Sequence, residues 1–401
     1  MTGTDTMTVA QARLLAVRGC VTDAVQLILA GVEHGSLSED QALSLLGSVD
    51  RFPQAQLPSD HQVFGIFKDS VITSLHFQPQ DDRGQAREAF RQAVRWIEIE
   101  TSSQCNRHCD YCPNCTVERR RSNDFLDFGL YSRTIGELAE IDYDGTISFV
   151  GNNEFFLHQE NRAYVDAARQ ALPPAILKLY SNGDFLGKAD LAWAASAGVG
   201  LIHVTLHTAP GKAYDDSEAL RRAWLFQKQT GLQLQLLEFV RDGKLEFIAH
   251  CGRTKVFVKA QNMQRFGHNW NGLVACGGSA ARLPANPCSY PLRQFIVTHD
   301  GDLLLCCMMF KERTAENDRS GAMIGNLAAY PSVFAAYASP RMAAWRRAIF
   351  STAAKPEPCA TCPGFEPDEA KAAPLADQVH ARLALREQQA AQPILIPPEA
   401  T

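Results

Sequence analysis

Between residues 96 and 259 the chain alternates short apolar runs of β character with longer amphipathic stretches. Runs at 96–101, 146–151, 177–182, 201–207, 233–240 and 254–259 read as strands. Stretches near 126–141, 161–172, 187–197, 218–230 and 243–250 carry apolar residues at helical spacing. Six repeats of strand then helix predict an α/β fold of parallel strands joined by right-handed crossovers. Such folds bind their ligands at the carboxyl ends of the strands.

The flanks read differently. Residues 11–17, 21–32 and 42–49 have helical spacing, so 1–92 is expected to be a mainly helical module. The α/β unit is expected over 93–265, a Gly- and Asn-rich linker over 266–287 and a small α+β domain over 288–369. Within it, 293–307 reads as a hairpin turning at Asp300-Gly301, and 331–350 as a helix. The Ala-, Gln- and Pro-rich stretch 370–401 reads as a helix followed by a disordered end.

Bulk properties narrow the function classes. A length of 401 residues points to two or three domains. A formal net charge of −5 gives no electrostatic reason to expect a nucleic-acid partner, and Arg119-Arg-Arg121 reads as a solvated basic run. No apolar run approaches bilayer length, and the amino terminus lacks a basic region leading into an apolar one. Twelve cysteines in that setting indicate a reducing compartment and metal ligation rather than disulfides, so a cytoplasmic location is expected.

The cysteines carry the chemistry. Cys105, Cys109 and Cys112 follow the first strand at spacings that can turn three sulfurs toward one centre. Three thiolates on a 4Fe–4S cube leave one iron open to a ligand. Zinc is the competing occupant, with Cys115 as a fourth sulfur.

These features resemble the radical S-adenosylmethionine superfamily over residues 96–260. The Cys105, Cys109, Cys112 loop matches its CxxxCxxC signature, with Tyr111 before the last cysteine. Gly151-Asn152-Asn153-Glu154 is similar to a departed Gly-Gly-Glu motif, which in the family receives the methionine amino group. Ser181-Asn182-Gly183 is similar to the family's turn near the nucleoside. The resemblance implies a partial (βα)6 barrel in which Gly151, Asn152, Asn153, Glu154, Ser181, Asn182 and Thr205 hold S-adenosylmethionine. Asn152 and Asn153 depart from glycine, which bears on close backbone approach; Glu154 keeps the acidic charge, or is simply a solvated carboxylate.

A second resemblance covers Cys288, Gly301-x4-Cys306, Gly325-Asn326 and Cys359-x2-Cys362, similar to the twitch form of the SPASM domain. It implies that Cys288, Cys306, Cys359 and Cys362 enclose one auxiliary 4Fe–4S cluster suited to electron transfer, with structural zinc as the alternative. Read as a strand, Cys306 and Cys307 would face opposite ways, leaving Cys307 out. Cys20 and Cys251 read as core, and Cys276 as a bystander. His207 is a candidate catalytic group that could move a proton or bond a substrate hydroxyl, or else a satisfied structural histidine.

The resemblance implies a radical S-adenosylmethionine enzyme that abstracts hydrogen from a small molecule such as a sugar, aminocyclitol or nucleoside-like intermediate. Maturation of a ribosomally made peptide is the alternative substrate class, and a non-catalytic zinc protein the alternative class of protein. An electron donor such as flavodoxin or ferredoxin is the expected partner, with no nucleic acid and no membrane.

Overall fold

A computed structural model describes residues 74–121, 123–270, 273–274, 288, 290–311, 323–350, 355–360 and 362. The chain divides at Lys68/Asp69, and the described residues lie in the second unit. The helices expected within 1–68, the stretch 370–401, Cys20 and Cys276 lie outside the described residues.

The strands are β1 (Trp96–Ile99), β2 (Thr146–Phe149), β3 (Ile176–Ser181), β4 (Leu201–Thr205), β5 (Gln235–Val240), β6 (Lys244–Cys251), β7 (Thr254–Gln261), β8 (Gln294–Val297), β9 (Asp302–Leu304) and β10 (Met323–Asn326). They form one sheet in the order β10-β9-β8-β1-β2-β3-β4-β7-β6-β5. From β8 to β7 every neighbouring pair is parallel, giving six parallel strands. The mixed α/β fold with a parallel sheet is therefore present, and a partial barrel is consistent with it. The helices are α1 (Arg83–Ala93), α2 (Phe128–Ala139), α3 (Asn161–Ala171), α4 (Lys188–Ser196), α5 (Asp216–Thr230), the one-turn α6 (Met263–Phe266) and α7 (Tyr290–Arg293), α8 (Val333–Tyr337) and α9 (Pro340–Ile349).

The sixth parallel strand is not the one expected. Residues 235–240 form an antiparallel edge, and the helix expected over 243–250 is strand β6, paired antiparallel with both β5 and β7. Its residues alternate, with Leu245, Phe247 and Ala249 buried and their neighbours less so. That is the two-residue period of a strand, and it prevails over the expected βα rhythm. Two tight turns make the meander possible: Asp242 (φ 52°) precedes Gly243, and Gly252 (φ 58°) joins β6 to β7. The sixth parallel position is filled by β8, which pairs with β1 from the far end of the sequence. The hairpin at Asp300-Gly301 forms as expected between β8 and β9, with Gly301 at φ 85°. The helix expected over 331–350 is two helices, α8 and α9, with Ser339 capping the second by accepting from the Met342 N–H.

The two faces of the parallel sheet differ. Ile97, Ile99, Ile147, Phe149, Leu177, Leu179, Ile202, Val204, Val256 and Val258 are all fully buried on one face. Alternation then places Trp96 and Glu98, Ser148, Lys178 and Tyr180, His203 and Thr205, and Phe257 and Lys259 on the other. Helix α1 lies within the larger unit, where buried Phe90 meets Tyr143, Phe295, Phe334 and Tyr337 at ring-centroid distances of 6.5, 5.6, 5.5 and 5.3 Å. Truncating such a ring costs about 3–5 kcal/mol, so this cluster ties α1 to the residues of both cysteine-bearing regions.

Candidate active site

The cysteine loop begins six residues after β1 ends at Ile99 and is tied to the loops that follow β2 and β3. The Glu154 N–H donates to the Gln104 carbonyl at 2.9 Å. Asn106 accepts from the Asn182 side-chain amide at 2.7 Å and donates to Asp184 at 2.7 Å, while Arg107 forks onto the same Asp184 carboxylate. Asn114 donates to the Asn152 carbonyl at 2.6 Å, and the Cys112 sulfur lies 3.9 Å from Asn152 Oδ1. The three motif loops expected from the sequence thus form one bonded cluster at the carboxyl ends of successive strands.

Within that cluster Glu154 is buried rather than solvated. Its carboxylate accepts from the Ser181 hydroxyl at 2.7 Å, the Asn182 N–H at 2.6 Å and the Phe156 N–H at 3.1 Å. Burial pushes its pKa up to about 7 against these donors. Gly151 is where the backbone must be bare, because a Cβ there would sit 2.4 Å from the Glu100 side chain. The close approach is therefore to protein. Asn152 and Asn153 need no such freedom: Asn152 donates its N–H to Glu100 at 2.8 Å, and Asn153 bonds the Ser102 hydroxyl at 3.2 Å. His207 lies beside the cysteine loop, with Nδ1 3.0 Å from the Tyr111 hydroxyl, and burial pushes its pKa down to about 3. Thr205 ends β4 opposite Lys259.

The sulfurs fall into two groups. Burial raises the Cys105 thiol to about 11 and the Cys112 thiol to about 12, and the neighbouring cysteines push in the same direction. Cys109 is raised for the same leading reason. Buried thiols that oppose one another's ionisation suit a cationic iron cluster, which would favour the thiolates. Cys306 is raised by burial and then by Cys307, Cys359, Cys288 and Cys362, so the four expected auxiliary sulfurs do converge. Cys306 and Cys307 lie in the turn after β9 rather than on a strand. They still part company: Cys307 engages Gln294. Cys251 points its thiol toward the Leu191 carbonyl at 3.7 Å, away from both groups. Among the described residues no three His, Cys, Asp or Glu side chains form a ready single-ion site. Both expected donor sets consist of thiols alone, which suits the cysteine ligation of an iron–sulfur cube.

A cavity of about 380 Å³ opens on the polar face of the sheet. Its wall includes Gly151 and Asn152 from the β2 loop, Trp96, Glu98 and Glu100 from β1 and its end, Tyr180, Lys259, and Cys307 from the appendage. Ser181, Asn182, Glu154, Thr205 and His207 are not part of this wall. The wall groups on β1 went unnoticed at the level of motifs. The signal was there, in the charged residues that alternate with isoleucine through Trp96-Ile-Glu-Ile-Glu100.

Glu100 is the hub. Buried with it, Arg119 donates at 2.6 Å, His299 Nδ1 lies at 2.7 Å and the Asn152 N–H donates at 2.8 Å. Burial alone would raise the Glu100 pKa, but Arg119 and His299 overcome it and bring the value down to about 2. One carboxylate therefore joins β1, the segment after the cysteine loop, the β2 loop and the β8–β9 turn.

Residues 288–363 match the SPASM family, an iron–sulfur cluster-binding domain. A stretch of 111 residues is 36% identical to the S-adenosyl-L-methionine-dependent 2-deoxy-scyllo-inosamine dehydrogenase of Niallia circulans. That match covers 28% of this chain and 44% of the relative, less than half its length. Among solved structures, BtrN in complex with AdoMet and 2-DOIA is 21% identical, covers 65% of this chain and 88% of that one, and has a TM-score of 0.45. Native anSMEcpe with bound AdoMet is 12% identical, covers 73% and 97%, and has a TM-score of 0.37. The chain is thus similar in part to an S-adenosylmethionine-dependent dehydrogenase, and over residues 288–363 to an iron–sulfur cluster-binding domain.

Proposed function

We propose that this protein is a radical S-adenosylmethionine dehydrogenase that oxidises an alcohol carbon of a small hydroxylated ring, an aminocyclitol or a close analogue. One observation carries the reading. A cavity of about 380 Å³, within the usual range for a small-molecule site, is lined by Asn152, whose side-chain oxygen lies 3.9 Å from the Cys112 sulfur, and by Cys307, the chain neighbour of Cys306. When bound, the clusters and S-adenosylmethionine supply the reducing electron, the 5′-deoxyadenosyl radical and an acceptor for the second electron.

The chain's own residues hold and orient. Cys105, Cys109 and Cys112 would ligate the open cube, and the Glu154–Ser181–Asn182 cluster would brace the loops that meet S-adenosylmethionine. Cys288, Cys306, Cys359 and Cys362 would ligate the auxiliary cluster. Trp96, Tyr180 and Trp270 give the cavity aromatic faces against which a polyol ring can lie. A flavodoxin or ferredoxin would deliver the electron, and a reducing cytoplasm suits the free thiols. Among the described residues no helix is long and apolar enough to cross a membrane.

The test uses anaerobically reconstituted full-length protein with S-adenosylmethionine, dithionite and 2-deoxy-scyllo-inosamine, the compound in the relative's name. Expected are about eight irons per chain, as two cubes require, together with 5′-deoxyadenosine and the cyclitol ketone. Stoichiometric zinc without iron sinks the enzyme reading, and 5′-deoxyadenosine without ketone sinks the alcohol.

A further inference from the structure

Oxidising an alcohol removes a hydrogen atom from carbon, a proton from oxygen and a second electron. The proton needs an acceptor in the cavity, and most ionisable groups on the wall are already committed. Glu100 is locked between Arg119, His299 and the Asn152 N–H. Lys311 pairs with Asp300, and the Cys307 thiol engages Gln294. The Tyr180 phenol keeps its proton, since burial raises its pKa. Burial lowers the Lys259 pKa, and the nearby Glu246 carboxylate opposes that shift and favours the ammonium. His207 is not on the wall and bonds Tyr111. Glu98 alone among the wall carboxylates accepts no hydrogen bond among the described residues, and it is only partly buried.

Its neighbours suit the task. Glu98 pairs in register with Ser148 on β2 and Ile296 on β8, so no charge flanks it on either adjacent strand. The opposite charge comes from Lys178 on β3, whose ammonium is held 4.5 Å over the Tyr180 ring and 5.2 Å over the Trp96 ring. Also on this side of the sheet are His203 on β4, Lys259 on β7 and Cys307 after β9. Burial presses hydrogen onto the Glu98 carboxylate and Lys178 opposes it, giving a pKa of about 7. A base poised near the working pH is effective in both taking and releasing a proton.

Resting on the alcohol reading, we propose that Glu98 is the catalytic proton acceptor, taking the substrate hydroxyl proton as the carbinol becomes a carbonyl. The step balances. The C–H hydrogen atom goes to the 5′-deoxyadenosyl radical and gives 5′-deoxyadenosine. The O–H proton goes to the Glu98 carboxylate, the carbon–oxygen double bond forms, and the remaining electron passes to an oxidised iron–sulfur cluster. Lys178 is a positioning residue that keeps Glu98 ionised between turnovers.

The experiment compares wild type, Glu98→Gln and Lys178→Gln as reconstituted full-length proteins. With S-adenosylmethionine, dithionite and 2-deoxy-scyllo-inosamine, Glu98→Gln should still release 5′-deoxyadenosine, while ketone falls about 100-fold or more, the range for losing a general base. Independently of turnover, infrared difference spectra across pH should show a protonated-carboxyl band titrating near 7 in wild type. The band should be absent in Glu98→Gln and shifted to higher pH in Lys178→Gln. Ketone formation in Glu98→Gln within about threefold of wild type, below the general-base range, overturns the assignment alone. A Glu98 band titrating in the ordinary carboxylate range overturns it as well. Wild type that makes 5′-deoxyadenosine but no ketone overturns the alcohol reading and this assignment together, a pattern distinct from the other two.

Discussion

Glu98 and Glu100 stand two residues apart in the same extended run and both reach the same cavity, yet they have opposite chemistry. Glu100 is held by a guanidinium, an imidazole and a backbone N–H, and its pKa falls to about 2. Glu98 has only the Lys178 charge against its desolvation, and its pKa rises to about 7. Burial acts on both in the same direction. What separates them is the number of donors each one meets, which makes Glu100 a fastener and leaves Glu98 free to exchange a proton.

That contrast can be broken most forcefully at Glu100. Glu100→Ala removes the carboxylate to which buried Arg119 donates, so a loss of about 3–5 kcal/mol is expected in chemical denaturation. At acid pH, where Glu98 is already uncharged, Glu98→Gln keeps the shape and loses no hydrogen bond among the described residues, so its stability should change there by no more than about 0.5 kcal/mol. A comparable loss at both positions would erase the distinction.

The next effect sharpens the difference between the two faces of the sheet. Leu179→Ala removes a fully buried side chain and should cost about 2–5 kcal/mol. On the cavity face the adjacent Tyr180→Phe should change stability by less than about 1.5 kcal/mol, because its hydroxyl makes no hydrogen bond among the described residues.

Smaller still is the dependence on pH, where the two carboxylates should pull in opposite directions. The Glu100 pKa is lowered on folding, so its contribution is present above the unfolded carboxylate value and is lost as pH falls toward about 2. The Glu98 pKa is raised, so its contribution is present below the unfolded value and is lost as pH rises through about 7. Denaturation midpoints measured from acid to neutral pH should therefore flatten on the neutral side in Glu98→Gln. The acid limb should remain steep in that variant.

Much of this was legible along the chain. The CxxxCxxC loop was legible from local spacing, and Glu154, Ser181 and Asn182 from the resemblance of their short loops to family motifs, because each such pattern lies within a few residues of chain. The alternation of β1 to β4 was equally local. At 243–250 the two-residue period of the segment itself prevails over the βα rhythm of its surroundings. The partners of Glu100 were not legible: Arg119 lies 19 residues away and His299 lies 199, and no local pattern announces such a pair.

The sequence by itself determined the alternation that buries one face of each strand, the seven thiols in two groups and the turns that bring their loops to strand ends. Those depend on residues near one another, where spacing and backbone geometry suffice. Only the tertiary structure decided that β8 would take the sixth parallel place beside β1, and that among the described residues Glu100 would be bonded while Glu98 would not. A carboxylate's character is set by what it meets across the fold, and residues distant in sequence supply those contacts only once the sheet has assembled.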